Sequence, residues 1–107
     1  MATAAQINLT PSSRLRTCTT QDAAITLITC SSEIGSVAIQ VATAAGRIVT
    51  EGATQGGAYS AGILVPVDGA PLTIYPTDCG YGSGQAWQFG VARNAAGAVF
   101  TLSASLR

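Results

Sequence analysis

Ala24-Ile25-Thr26-Leu27-Ile28-Thr29-Cys30, then Ser31-Ser32-Glu33, then Ser36-Val37-Ala38-Ile39-Gln40-Val41-Ala42 is the stretch that decides the fold class. The first run is dense in β-branched residues, whose stiff χ1 suits a pleated surface better than a helix. The last run places its large apolar residues at every second position, the period of a strand with one buried face. Ser31-Ser32-Glu33 supplies turn chemistry between them, so the pair reads as a hairpin.

The same signature repeats on both sides. Gln6-Ile7-Asn8-Leu9-Thr10 alternates until Pro11-Ser12-Ser13 interrupts it, and Arg14-Leu15-Arg16-Thr17-Cys18-Thr19 resumes with period two. Downstream, Arg47-Ile48-Val49-Thr50 reads as a strand, with Gly46 before it as a loop residue that needs positive φ. Residues 52–57 read as a loop and Ala58 to Val65 as a strand closed by Pro66, which marks it as an edge. Asp68-Gly69-Ala70-Pro71 turns the chain into Leu72-Thr73-Ile74-Tyr75, and Pro76 to Gly84 reads as a long glycine-containing loop. Gln85 to Ala92 and Gly97 to Leu106 form a last pair, joined through Asn94-Ala95-Ala96-Gly97 as a second hairpin. Residues 41–50 echo residues 91–101 with one insertion, and both read as hairpin turns.

No window sustains helical periodicity, because glycine, proline and β-branched residues interrupt it. About eight short strands at roughly 8–12-residue spacing predict an all-β fold, a small antiparallel β-sandwich that is jelly-roll-like. At 107 residues and 10.7 kDa the chain is expected to form a single domain over residues 1–107, with residues 1–6 as an extended N-terminal arm. Its folded surface should be about 5,500 Å² by mass scaling.

Charge is the least ordinary property. Only 9% of residues are charged and the net charge is zero, against about 25% charged in an average soluble domain. Lysine and histidine are absent; Arg14, Arg16, Arg47, Arg93 and Arg107 balance Asp22, Glu33, Glu51, Asp68 and Asp78. Scattered arginines make no basic patch, so nucleic acid is an unfavoured partner. No apolar run approaches the roughly 18–20 residues of a membrane span, and Met1-Ala2-Thr3-Ala4-Ala5-Gln6 does not read as a secretory leader. A surface of alanine, threonine, serine, glycine and glutamine lacks the repulsion that keeps proteins apart, which favours assembly.

Without histidine, Ser-His and Cys-His nucleophile pairs and most zinc sites are excluded, so the chain is expected to be no enzyme and to need no cofactor or metal. Asp68 and Asp78 are the one carboxylate pair to weigh, and solvated turn residues explain them better. Gly80-Tyr81-Gly82-Ser83-Gly84 lacks the lysine and helix of a phosphate loop. Cys18, Cys30 and Cys79 have no metal-knuckle spacing and read as small buried thiols, with a Cys18–Cys30 disulfide as the alternative that distance decides. Among aromatic residues, Trp87 and Phe89 share one strand face and read as core. Tyr81, Tyr59 and Tyr75 remain as candidate contacts for a partner or a glycan.

The neutral Ala/Thr/Ser/Gly-rich surface over many short strands, running from Met1-Ala2-Thr3-Ala4-Ala5 to Phe100-Thr101-Leu102-Ser103-Ala104-Ser105-Leu106-Arg107, resembles small tailed-phage virion proteins, especially head decoration or cement proteins. The resemblance is one of composition and carries over no functional residue. It implies a virion structural protein made in the host cytoplasm, bound to the major capsid protein or other virion subunits, and homo-oligomeric, with a trimer among the options. The rival expectation is a carbohydrate-binding β-sandwich module that uses loop aromatics.

Overall fold

The computed structural model describes residues 7–20, 25–50, 62–82, 84–93 and 97–107. In chain order the strands are β1 (Ile7–Leu9), β2 (Leu15–Thr20), β3 (Thr26–Cys30), β4 (Ile34–Ala42), β5 (Gly46–Val49), β6 (Ile63–Val65), β7 (Leu72–Ile74), β8 (Trp87–Arg93) and β9 (Ala98–Leu106). They form a five-stranded sheet, β1-β3-β8-β5-β6, packed on a four-stranded sheet, β2-β9-β4-β7. Within these sheets β2 pairs with β9, β3 with β8, β4 with β7 and β5 with β6. Such nested pairing is that of a long antiparallel ribbon rolled up on itself, and the fold is a jelly roll with β1 added. That extra strand runs parallel to β3, so the sandwich is not wholly antiparallel.

The rolled ribbon overturns both expected hairpins. Ser31-Ser32-Glu33 does form a turn, closed by the Ile34 amide on the Ser31 carbonyl at 3.0 Å, but β3 and β4 lie in opposite sheets. The same holds for β8 and β9, and their linking residues 94–96 lie outside the described residues. Among neighbours in the chain, only β5 and β6 pair within the described residues. The echo between residues 41–50 and 91–101 also joins strands of opposite sheets in both copies, β4 to β5 and β8 to β9. Pro66 ends β6 at a sheet edge, as its position in the sequence suggests. The loop from Pro76 contains a short 3-10 helix, Pro76–Cys79.

Alternation fills the interior. β9 buries Ala98, Phe100, Leu102 and Ala104, and β4 buries Ile34, Val37, Ile39 and Val41. The three-residue step from Ile34 to Val37 breaks period two, and a β-bulge there supplies the extra residue that keeps both side chains inside. Trp87 and Phe89 sit in the same core with ring centroids 5.7 Å apart. Trp87 Nε1 donates to the Ile34 carbonyl at 2.9 Å, tying β8 of one sheet to β4 of the other. Each such large side chain stabilises the fold by roughly 1.5–3 kcal/mol through burial alone. The accessible surface is 5267 Å², close to the mass-scaling figure.

Gly46 has an unexpected reason to be glycine. It is not among the positive-φ residues; instead a Cβ at this position in β5 would lie 2.3 Å from Cζ of Phe100, on the facing sheet. The left-handed conformation in this connection falls on Thr43, with φ of 75°.

Candidate functional site

Because β2, β9, β4 and β7 are neighbours, their outward side chains line up in rows across one face. Register places Leu15 beside Ser103, Ala38 and Thr73, and places Thr17 beside Thr101 and Gln40. Further rows are Thr19 with Val99 and Ala42, and Ser105 with Ser36. Every one of these side chains is exposed or half-buried, and none can ionise. At the rim, Leu15 is the most exposed of the large apolar residues among those described, at 68%.

The opposite face of the sandwich differs. Ile25, Val49 and Ala92 form a second, smaller buried cluster on the outward side of the five-stranded sheet, where Arg47 also stands. Of the two sheets, it is therefore the four-stranded one that presents a broad neutral face to its surroundings. The strand rise and spacing give that face about 400 Å² in projection.

Open depressions also mark the surface of the described residues. One, about 340 Å³, is lined by Pro11, Ser32, Glu33, Leu106 and Arg107. Its Arg107 guanidinium is committed to backbone carbonyls, Nε donating to Ser32 and Nη2 to Gln85. Another, about 250 Å³, lies among Thr29, Tyr81, Ala86, Trp87 and Gln88. A third, about 160 Å³, opens on the margin of the neutral face, where Asp68 borders Gln40, Val41, Ala42 and Thr101. No group of three metal-ligating side chains occurs among the described residues.

Tyr75 and Tyr81 flank the 3-10 helix but are placed differently. Tyr75 is 51% exposed, whereas Tyr81 is half-buried and packs against the core, its amide donating to the Pro76 carbonyl at 3.0 Å. Tyr59 lies outside the described residues. Trp87, 1% exposed, and Phe89, fully buried, offer no ring face to a sugar. Asp78 serves the local fold, accepting the Tyr75 amide on Oδ2 at 2.9 Å, while the Asp68 amide donates to the Val41 carbonyl at 2.8 Å. In the glycine-rich loop the Gly82 amide is taken by Gln85 Oε1 at 3.0 Å.

All three cysteines are free and buried. Cys18 in β2 and Cys30 in β3 belong to different sheets and form no disulfide. Burial pushes the Cys30 thiol up to about 12, with Cys79 nearby adding to the effect. The Cys79 thiol rises to about 11, first through burial and then through the Asp78 charge. Cys18 is also raised by burial, against the opposing influence of a hydrogen bond with Thr26. Thiols with so little thiolate are packing groups, not nucleophiles.

By fold the chain is a jelly-roll β-sandwich whose most distinctive surface is one neutral sheet face. Compared with protein-family models, curated proteins and solved structures, it matches none. Sequence alternation already pointed Ala38, Gln40 and Thr101 outward, but it sets Thr17 on the face of Leu15 and opposite Arg14 and Arg16, so that only the sheet shows this face of β2 to be the outer one. Which strands stand side by side, and hence that these residues share a face, emerges only from the assembled sheet.

Proposed function

We propose that this chain is a non-enzymatic structural subunit of a phage virion, decorating or cementing a shell by laying its neutral sheet face against the major capsid protein or another virion subunit. The observation that carries this reading is the outward face of the four-stranded sheet, which spans all four strands without an ionisable side chain. Covering it strips no ion of water, and ion desolvation is the largest penalty that binding can impose on a polar surface. Threonine methyl groups and Leu15 supply apolar contact, and hydroxyls supply hydrogen bonds, the mixed chemistry of an ordinary protein interface. Jelly rolls recur in viral shells and also in lectins, so the fold is compatible with both readings and the surface chemistry tips the balance.

A single face of about 400 Å² is roughly half of the ~800 Å² that each partner buries in a standard interface. Binding of one copy would be weak, and many copies on a repeating shell would hold by effective concentration. The test is cosedimentation with undecorated heads assembled from the major capsid protein of the same genome. Wild-type protein pellets with the heads, and Thr101→Glu, which buries an unpaired carboxylate at the centre of the face, does not. Wild-type protein that stays in the supernatant refutes the reading. The glycan-binding alternative rests on Tyr81 and its depression; there an oligosaccharide would perturb the fluorescence of Trp87, which lines the same hollow.

A further inference from the structure

We infer that β2 is a pairing edge and that its partner is the β2 strand of a second copy, joined antiparallel across a twofold axis centred on Thr17. An exposed sheet edge is a template for another strand, and proteins blunt such edges with short strands, proline or covering segments. Three of the four edges here are blunted. β1, β6 and β7 each have three residues, and proline follows β1 at Pro11, ends β6 at Pro66 and flanks β7 at Pro71 and Pro76. β2 is the exception, with six residues and no proline within it or directly beside it.

Backbone geometry shows which groups face outward. The Ala104 amide donates to the Arg14 carbonyl at 2.8 Å, so residue 14 turns its polar groups toward β9. Orientation repeats every second residue in an antiparallel ladder, so Arg16 and Cys18 do the same, while Leu15, Thr17 and Thr19 aim their amides and carbonyls at the free edge. None of those three has a backbone partner across that edge among the described residues.

One register satisfies all of them. With Thr17 opposite Thr17 of the second copy, Leu15 faces Thr19 and the reverse, and the outward groups of both strands combine into six hydrogen bonds. Side chains opposite one another then lie on the same face, as an unbroken sheet requires. The positive charges are also kept apart, since Arg16 comes opposite Cys18 and not opposite its own copy. Arg16 is held on its own subunit, Nη1 donating to the Asn8 carbonyl at 3.4 Å and to Ser13 Oγ at 3.5 Å. Leu15, the most exposed large apolar side chain among the described residues, gains cover beside Thr19. The product is an eight-stranded sheet whose joined neutral face covers about 800 Å² in projection, twice that of one copy. The pairing does not depend on what that face touches.

Light scattering after size exclusion, over a concentration series reaching about 1 mM, reads the outcome. Twice the 10.7 kDa chain mass is expected at the upper end. Thr17→Pro removes an amide that plays no part in the β2–β9 ladder and should weaken dimerisation by roughly tenfold or more, through two lost bonds. Thr17→Lys, which sets two like-charged lysines directly opposite one another with Cβ atoms about 5 Å apart across the axis, should abolish it. Thr101→Lys, one strand inward on the same face, should leave it unchanged. Hydrogen exchange on the wild-type chain tests the edge without mutation, because Leu15, Thr17 and Thr19 amides should gain protection as concentration rises. A monomer throughout, a dimer indifferent to Thr17→Pro and Thr17→Lys, or one broken by Thr101→Lys would each overturn the inference. The last outcome would mean stacking of the neutral faces, and it would leave the reading of that face as a docking surface standing.

Discussion

Replacing Gly46 by alanine probes how closely the two sheets meet. The new Cβ would fall 2.3 Å from Cζ, 2.8 Å from Cε2 and 3.2 Å from Cε1 of Phe100, where ordinary contact begins near 3.4 Å. Neither side can retreat cheaply. Phe100 is fully buried in β9, and Gly46 is paired on both flanks, to Val65 in β6 and Arg93 in β8. Forcing a methyl into a packed core costs about 1–3 kcal/mol, and loss of glycine's freedom in the unfolded chain returns about 0.4–1 kcal/mol. The expected net loss is about 1.3 kcal/mol, which in a domain of this size lowers Tm by about 6 °C. Urea unfolding followed by circular dichroism measures it, and Phe100→Leu supplies the second arm of a double-mutant cycle. Removing the ring leaves the methyl room, so the double variant should lose at least about 1 kcal/mol less than the sum of the singles. A Gly46→Ala protein within about 0.5 kcal/mol of wild type, or a double variant that is simply additive, would refute the reasoning.

Other consequences are as direct. Thr43 has φ of 75° inside a tight turn in which the Ala44 amide donates to the Ala42 carbonyl at 2.9 Å, so Thr43→Gly should raise stability by about 1 kcal/mol, seen as a Tm gain of several degrees. Trp87→Phe strands the buried Ile34 carbonyl and leaves a void, and should cost about 3 kcal/mol in urea unfolding, whereas an unchanged midpoint would mean the cross-sheet bond contributes nothing. The raised thiols make the fold sensitive to alkali. Unfolded cysteines ionise near the ordinary 9.0 while Cys30 and Cys79 hold their protons to about 12 and about 11, so the unfolded chain releases protons first. Stability fully present below pH 9 should fall as pH rises toward 12, and Cys30→Val should flatten that decline in unfolding midpoints compared between about pH 8 and about pH 10.5.

Much of the architecture was legible because it is local. Period-two runs located most strands within a residue or two, and their inward members, among them Ile39, Val41, Phe89 and Phe100, are the core; the run from Ala58 begins in residues that lie outside the described ones, and the strand described there is only Ile63–Val65. The start of β4 was obscured because the bulge between Ile34 and Ser36 breaks the alternation that marks a strand. Gly46 was misread for a related reason. A glycine beside a turn suggests backbone freedom, and only the ring of Phe100, arriving from the other sheet, reveals a need for space.

By itself, then, the sequence determined which residues of most strands point inward and that two layers must bury them, since alternation is set by the pleat and hydrophobicity by each side chain; in β2, where Leu15 alternates with arginines, only the sheet decided that Leu15 faces out. Tertiary structure alone decided which strands pair. Had β8 and β9 met as a hairpin, Val91 and Phe100 could still have faced the same interior, so the turn between them carried no signal that would distinguish a hairpin from a crossing between sheets. Pairing is settled by long-range closure, in which every strand must find an edge and both sheets must cover one core at once. The neutral face on β2, β9, β4 and β7 is a product of that closure, assembled from residues far apart in the chain.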